Sequence, residues 1–216
     1  MKDSVSVGET TGRCNVTKRR WLKPVMILCI IALSICSRLI FHDPLMAYGE
    51  GFIDSETGLP YLLDMDGYYH VRMTNDIALY GHPGETLKVG EPWDSFSFAP
   101  SGRTASDYKP LMASIGIAVN RVTSLFVPQS LDQTVYWLNI FLSALVVIPV
   151  FLIAFELCGL TGAVIASVLA SLNDMYLSYT MPGYYDTDGV TLWVSCFFFY
   201  FGLKLVKGWQ EKTKNP

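Results

Sequence analysis

The sequence predicts an all-α, polytopic membrane protein with about four transmembrane helices and a long external first loop carrying amphipathic helices. Three observations predict it. Of the 216 residues, 51% are hydrophobic and only 16% are charged, against roughly 25% charged in soluble domains, and the mean hydropathy is +0.32. Long apolar runs alternate with polar stretches. Basic residues gather at both ends: Lys18, Arg19 and Arg20 precede the first run, and Lys204, Lys207, Lys212 and Lys214 accompany the last. The net charge of −3 excludes the basic field that a nucleic-acid partner requires.

Taken in order, residues 1–20 read as a polar, disordered, cytoplasmic basic tail. The pattern Asn15-Val16-Thr17 fits a glycosylation sequon, but its basic neighbours place it in the cytoplasm, so it reads as a chance match. Residues 21–210 read as one transmembrane domain. Its first span, Val25–Phe41, is about 25 Å long at 1.5 Å per residue. Arg38 sits near its end and is expected to snorkel to the interface. A basic stretch before an apolar run also suits a signal peptide. Here His42-Asp43-Pro44 follows, with no small-x-small site, so the run reads as an uncleaved anchor.

Residues 42–133 read as the first external loop. Tyr68–Tyr80 has the pattern of a short helix. Leu111–Val127 is apolar but carries Ser114, Asn120, Arg121, Thr123 and Ser124. As a span it would put the C-terminal lysines outside, against the positive-inside rule. It is therefore expected to lie on the membrane as an amphipathic helix. Thr134–Leu157 is the second span, with a kink expected at Pro149. Leu160–Ser178 is the third, rich in small residues that allow close helix packing. Cys158-Gly159 leaves these two as a tight helical hairpin. Residues 179–189 form a second external loop, Val190–Val206 the fourth span, and residues 211–216 a cytoplasmic tail. The five cysteines, Cys14, Cys29, Cys36, Cys158 and Cys196, form no CxxC pair, so zinc-ribbon and redox chemistry are not indicated.

This topology puts two acidic motifs, 120 residues apart in sequence, on one face of the membrane. The second is Gly183-Tyr184-Tyr185-Asp186-Thr187-Asp188. In an extended stretch, residues i and i+2 point the same way, so Asp186 and Asp188 are placed to grip one hard cation. Gly183 and Gly189 permit an unusual backbone there. The bare DxD pattern is also common in ordinary solvated loops. The first motif is Asp64-Met65-Asp66-Gly67-Tyr68-Tyr69-His70-Val71-Arg72. Asp66 reads either as a helix cap or as a metal ligand facing Asp186. His70 and Arg72 are surface residues or phosphate contacts, and Arg72 is the better phosphate candidate because a guanidinium matches phosphate geometry.

Together these residues resemble the membrane-embedded catalytic subunit of the oligosaccharyltransferases that glycosylate asparagine, especially the bacterial single-chain type. The family pairs a D-x-Y-Y/F-type stretch in its first external loop, here Asp66 to Tyr69, with G-aromatic-aromatic-D-x-D/E in its second, here Gly183 to Asp188. Thr180-Met181 also looks like the bacterial members. The likeness covers most of residues 20–210. It implies a GT-C-type architecture, and transfer of an oligosaccharide from a polyprenyl diphosphate to the Asn of an N-x-Ser/Thr acceptor polypeptide. It further implies Mn2+ or Mg2+ held by Asp66, Asp186 and Asp188, which form the catalytic set, with Arg72 on the substrate. The implied location is a bacterial inner membrane with its active face towards the periplasm.

The chain departs from the family pattern in two places. A usually basic position, seven before Asp186, holds Tyr179. No Trp-Trp-Asp motif occurs, and family subunits carry more spans and a soluble C-terminal domain. The resemblance therefore implies an N-terminal portion: a fragment, a truncated product, or half of a split enzyme completed by a downstream polypeptide. The alternatives are another polyprenyl-phosphate-dependent glycosyltransferase of the same architecture, or a non-catalytic membrane assembly protein.

Overall fold

The computed structural model describes residues 10–46, 52–55 and 57–214. Their elements run α1 (Thr10–Met46), α2 (Met65–Tyr80), β1 (Thr86–Lys88), β2 (Glu91–Asp94), β3 (Arg103–Thr104), α3 (Leu111–Thr123), α4 (Leu131–Ala144), α5 (Val147–Ser171), α6 (Asp174–Ser178) and α7 (Asp188–Lys214). The protein is mainly helical. Residues 10–20, expected to be a disordered tail, continue α1. Once the apolar run is helical, each residue added at its end gains one hydrogen bond for one residue fixed, so the helix propagates outward. Residues 1–9 lie outside the described residues.

Among the described residues, three helical stretches are long and apolar enough to cross a bilayer: Trp21–Ile40, Leu131–Ser171 and Asp188–Gln210. The second has 41 residues. A straight helix of that length would measure about 60 Å, twice the hydrocarbon core of a membrane. It is not straight. Gly159 leaves helical geometry at φ 71°, ψ −165°, a conformation open to glycine and costly for a residue with a β-carbon. The contacts on either side establish that the chain turns back there. Glu156 pairs with Lys204 and Lys207 of α7, each at 3.1 Å. At the other end of the bundle, the Tyr176 hydroxyl donates to the carbonyls of Ser143 at 2.8 Å and Gly189 at 3.2 Å.

The bundle core joins α1 to both arms of α5 through Ile30, Val147, Phe151, Ala154 and Ala163. Ala163, Ser167 and Ser171 follow one another on one face and are fully buried. Small side chains there let helix backbones approach. This close packing also decides the fate of Arg38, which does not snorkel. It is fully buried because the 171–180 segment closes over it. Its Nε donates to Thr180 Oγ1 at 3.0 Å, and its Nη1 to Ser34 Oγ at 2.7 Å and to the Ser34 carbonyl at 2.9 Å.

A second core of Met112, Val135, Leu138, Tyr185 and Val190 joins α3, α4 and the start of α7. Helix α3 has 13 residues, about 20 Å, and buries Met112, Ala113 and Gly116. Above this layer, the stretch read as a long loop forms a three-stranded antiparallel sheet in the order β1-β2-β3. Lys88 pairs with Glu91 across a two-residue turn. Val89 and Gly90 both have positive φ, 55° and 84°, as a type I′ hairpin turn demands. The sheet is tied to α2 by Asp94, which is fully buried. Its carboxylate accepts from both Nη atoms of Arg72, at 2.5 and 2.9 Å, and from the backbone N–H groups of Phe96 and Ser97 at 3.0 and 3.1 Å.

Candidate functional site

Two segments build the site. The first is the start of α2. Asp64 caps that helix, with its Oδ1 accepting from Met65 N at 2.7 Å. The capping role considered for Asp66 therefore belongs to Asp64. Asp66 lies in the first turn, where the helix dipole favours a carboxylate, and its side chain stays exposed.

The second segment is 183–188. Gly183 has φ 87°, and a β-carbon there would lie 3.1 Å from the Tyr136 ring. Its N–H donates to the Tyr136 carbonyl at 3.0 Å, and its own carbonyl accepts from Leu63 N at 3.3 Å. These two bonds stitch the approach to α2 onto the second segment and to α4. Tyr185 turns inward. It is fully buried, its hydroxyl donates to the Met112 carbonyl at 2.7 Å, and it lies 3.3 Å from Thr74 Oγ1. Side chains alternate along extended backbone, so Asp186 faces outward.

The result is a convergence of three carboxylates: Asp64, Asp66 and Asp186 each bring one oxygen within 4.8 Å of the others. Asp66 and Asp186 are the pair singled out in the sequence. Asp64 joins them from outside that pair, and its spacing from Asp66 repeats the D-x-D pattern of the second motif. Asp188 does not join the three. It opens α7, so the extended geometry that would aim it alongside Asp186 ends one residue too early. Gly189, next to it, runs so close to α4 that a β-carbon would sit 2.6 Å from Asn139 Oδ1.

Arg72 was expected to meet phosphate. Its guanidinium is engaged by Asp94, and that hydrogen bond raises its pKa above the ordinary arginine value. Burial pushes the Asp94 carboxyl up, yet hydrogen bonds from Arg72 and Ser97 overcome this and hold it well below the usual carboxylate range. A phosphate contact from Arg72 has to share the guanidinium with this anchor. His70, which the sequence left as a surface residue or phosphate contact, reaches the acids directly: its Nε2 lies 3.3 Å from Asp186 Oδ1. The signal was available, since Asp66 and His70 stand four residues apart on one helix and so share a face. The His70 contact, with help from the Thr187 N–H, holds the Asp186 carboxyl below the usual range against the opposing effect of burial.

Beside the acids opens a cleft of about 430 Å3, lined by Tyr69, His70, Arg103, Tyr108, Lys109 and Thr187 among others. The Arg103 guanidinium stands over the Tyr69 ring at 5.3 Å. Arg103 and Lys109 there, alongside one acid, Asp107, offer cations to an anionic ligand. The three carboxylates offer hard oxygen donors only, a set that fits a divalent cation such as Mg2+ or Mn2+.

A family model described as "Oligosaccharyl transferase STT3, N-terminal" matches residues 45–215. The chain belongs to this oligosaccharyl transferase family. Two archaeal relatives align over most of it. Both are called dolichyl-phosphooligosaccharide-protein glycotransferase. The one from Methanococcus voltae is 27% identical over 91% of this chain and 22% of its own length. The one from Methanocaldococcus jannaschii is 27% identical over 92% of this chain and 23% of its own. An undecaprenyl-diphosphooligosaccharide--protein glycotransferase from Campylobacter jejuni is 35% identical over 37% of this chain and 11% of its own length. The chain thus spans less than a quarter of the length of the curated relatives it matches. Family and apolar helices together make it a multi-pass membrane protein.

Proposed function

We propose that this chain is the ion-holding, N-terminal part of an enzyme that moves an oligosaccharide from a polyprenyl diphosphate to the Asn of an N-x-Ser/Thr acceptor polypeptide, completed by a downstream polypeptide. The observation that carries the reading is the convergence of Asp64, Asp66 and Asp186 from segments 120 residues apart. An acidic trio beside a cleft lined by Arg103, Lys109, tyrosines and Asp107 supports a place for a sugar diphosphate and its counter-ion.

In this reading residues 21–210 cross the bilayer four times, within about 25–41, 134–157, 160–178 and 190–206. The loops 42–133 and 179–189 lie outside, and both basic ends lie in the cytoplasm. The reversal at Gly159 and the grouping of Glu156 with Lys204 and Lys207 support that path. The active face then looks away from the cytoplasm, towards the periplasm if the membrane is a bacterial inner membrane.

Asp64, Asp66 and Asp186 hold Mn2+ or Mg2+, and Asp188 at the start of α7 adds negative charge to the rim. A bound divalent ion supplies Lewis-acid neutralisation of the departing diphosphate. Asp66, the most exposed of the three, accepts an N–H of the acceptor amide. That contact draws the nitrogen lone pair out of conjugation with its carbonyl, the delocalisation that makes an amide a poor nucleophile. Arg103 and Lys109, with any share of Arg72 that Asp94 leaves, meet the anionic donor.

The test uses membranes carrying this chain together with the downstream polypeptide, supplied with lipid-linked oligosaccharide, a tagged N-x-Thr peptide and Mn2+. Glycopeptide formation is expected, with a loss of at least 100-fold in both Asp66→Ala and Asp186→Ala, since a Lewis acid at a leaving group contributes several kcal/mol. Transfer that persists in both variants overturns the assignment.

A further inference from the structure

Asp186 is the only one of the three acids with a histidine against it among the described residues, and that histidine is itself held from behind. The His70 side chain is 15% exposed and that of Asp186 18%. The ring lies beside those of Tyr69 and Tyr108, each with its centroid at 5.7 Å. Its Nδ1 is 3.1 Å from the Tyr108 hydroxyl, and its Nε2 is 3.3 Å from Asp186 Oδ1.

With the imidazole neutral, the three groups allow one arrangement of protons. An ionised carboxylate only accepts, so the imidazole nitrogen facing it carries a hydrogen. In the neutral ring the other nitrogen, Nδ1, then has a lone pair and accepts from the tyrosine. Tyr108 can donate, because burial raises its pKa and keeps the hydroxyl protonated. The contacts on Asp186 are also one-sided. Oδ1 accepts from Thr187 N at 2.5 Å and Thr187 Oγ1 at 3.2 Å, besides facing His70. Oδ2 is the oxygen left over for an ion.

We propose that His70, oriented by Tyr108, is a positioning residue: it fixes the Asp186 carboxylate through Oδ1 and so presents Oδ2 to a divalent cation shared with Asp64 and Asp66. The inference rests on the reading of these acids as an ion site. It also gives the sheet layer a part in that site, because Tyr108 follows β3 and contacts His70. A histidine donating to a ligating carboxylate acts on the ion through ligand orientation, and losing such a partner typically weakens metal binding 10–100-fold.

The experiment titrates the full chain, purified in detergent, with Mn2+ and reads the free ion by electron paramagnetic resonance. His70→Phe is expected to weaken binding about 10–100-fold. Tyr108→Phe should weaken it by a smaller factor. His70→Gln, whose amide N–H reaches in the same direction, should recover most of the affinity. Circular dichroism of each variant controls for folding. Unchanged Mn2+ affinity in a folded His70→Phe overturns the proposal. If His70→Phe does not fold, unchanged affinity in Tyr108→Phe does so instead. A nitrogen coupling from His70 in the spectrum of bound Mn2+ would make His70 a ligand and also overturn it. Absence of Mn2+ binding in the unaltered chain defeats the reading of the acids themselves, a result distinct from any difference among the variants.

Discussion

Arg38 in the helical bundle and Arg72 above it carry the same guanidinium in opposite settings. Arg38 is fully buried, and its partners are neutral: Thr180, Ser34 and the Ser171 carbonyl. Its Nη2 has no protein partner. Arg72 is partly exposed and meets a buried carboxylate, Asp94, with both Nη atoms. The bundle is held by apolar contact and close backbone approach, and its buried polar groups are left imperfectly matched, as at Asn139 and Ser167. Above it, a charged pair ties α2 to the sheet. The difference teaches where each layer is fragile. The bundle is expected to tolerate loss of a polar group, whereas the layer above is expected to depend on the Arg72–Asp94 pair.

The largest effect should come from breaking that pair. Asp94→Ala leaves Arg72 without its anion and the Phe96 and Ser97 N–H groups without an acceptor. Removing one partner of a buried pair costs about 3–5 kcal/mol, and the lower end applies because Arg72 reaches water. Hydrogen exchange of residues 85–105 should accelerate while that of α5 stays unchanged. The same contrast appears with pH. The folded Asp94 carboxyl titrates far below its unfolded value, so its contribution is fully present above about pH 4. It is then lost as the pH falls towards the depressed value. Exchange in 85–105 that rises already between pH 7 and 5 would break the comparison.

Tyr185→Phe probes the seam between the layers. It removes the hydroxyl that donates to the Met112 carbonyl at 2.7 Å, at an expected cost of about 1–2 kcal/mol. Thermal unfolding in detergent should show it, and Mn2+ affinity should fall with it if the seam holds Asp186 in place. The smallest effect is expected from Arg38→Met. Relief of a buried cation offsets the hydrogen bonds lost, leaving a net change within about 1 kcal/mol. A loss as large as that of Asp94→Ala would show that Arg38 is as essential to the bundle as Arg72 is to the layer above.

Some of this was legible in one dimension. A long apolar run, its flanking charges and a helix such as α2 are properties of neighbouring residues, so hydropathy and spacing report them. The acids of the two motifs stand out for the same reason, set among Gly183, Gly189 and paired tyrosines. The β1–β2 turn was within reach of the sequence too, but Lys88-Val89-Gly90-Glu91 places a β-branched residue where Asn or Asp usually stands, and that disguised it.

What the sequence by itself determined is the helical, membrane-crossing character of the chain and the acidic residues worth watching. Only the tertiary structure decided that Asp64 stands with Asp66 and Asp186 while Asp188, opening α7, stays outside that trio. It likewise decided that His70 links Tyr108 to Asp186, that Asp94 engages Arg72, and that Arg38 is enclosed. Each of these depends on the approach of segments 22 to 142 residues apart. Local pattern encodes which face of a helix is apolar, but the distance between two side chains on different segments is set by packing, which no stretch of sequence contains alone.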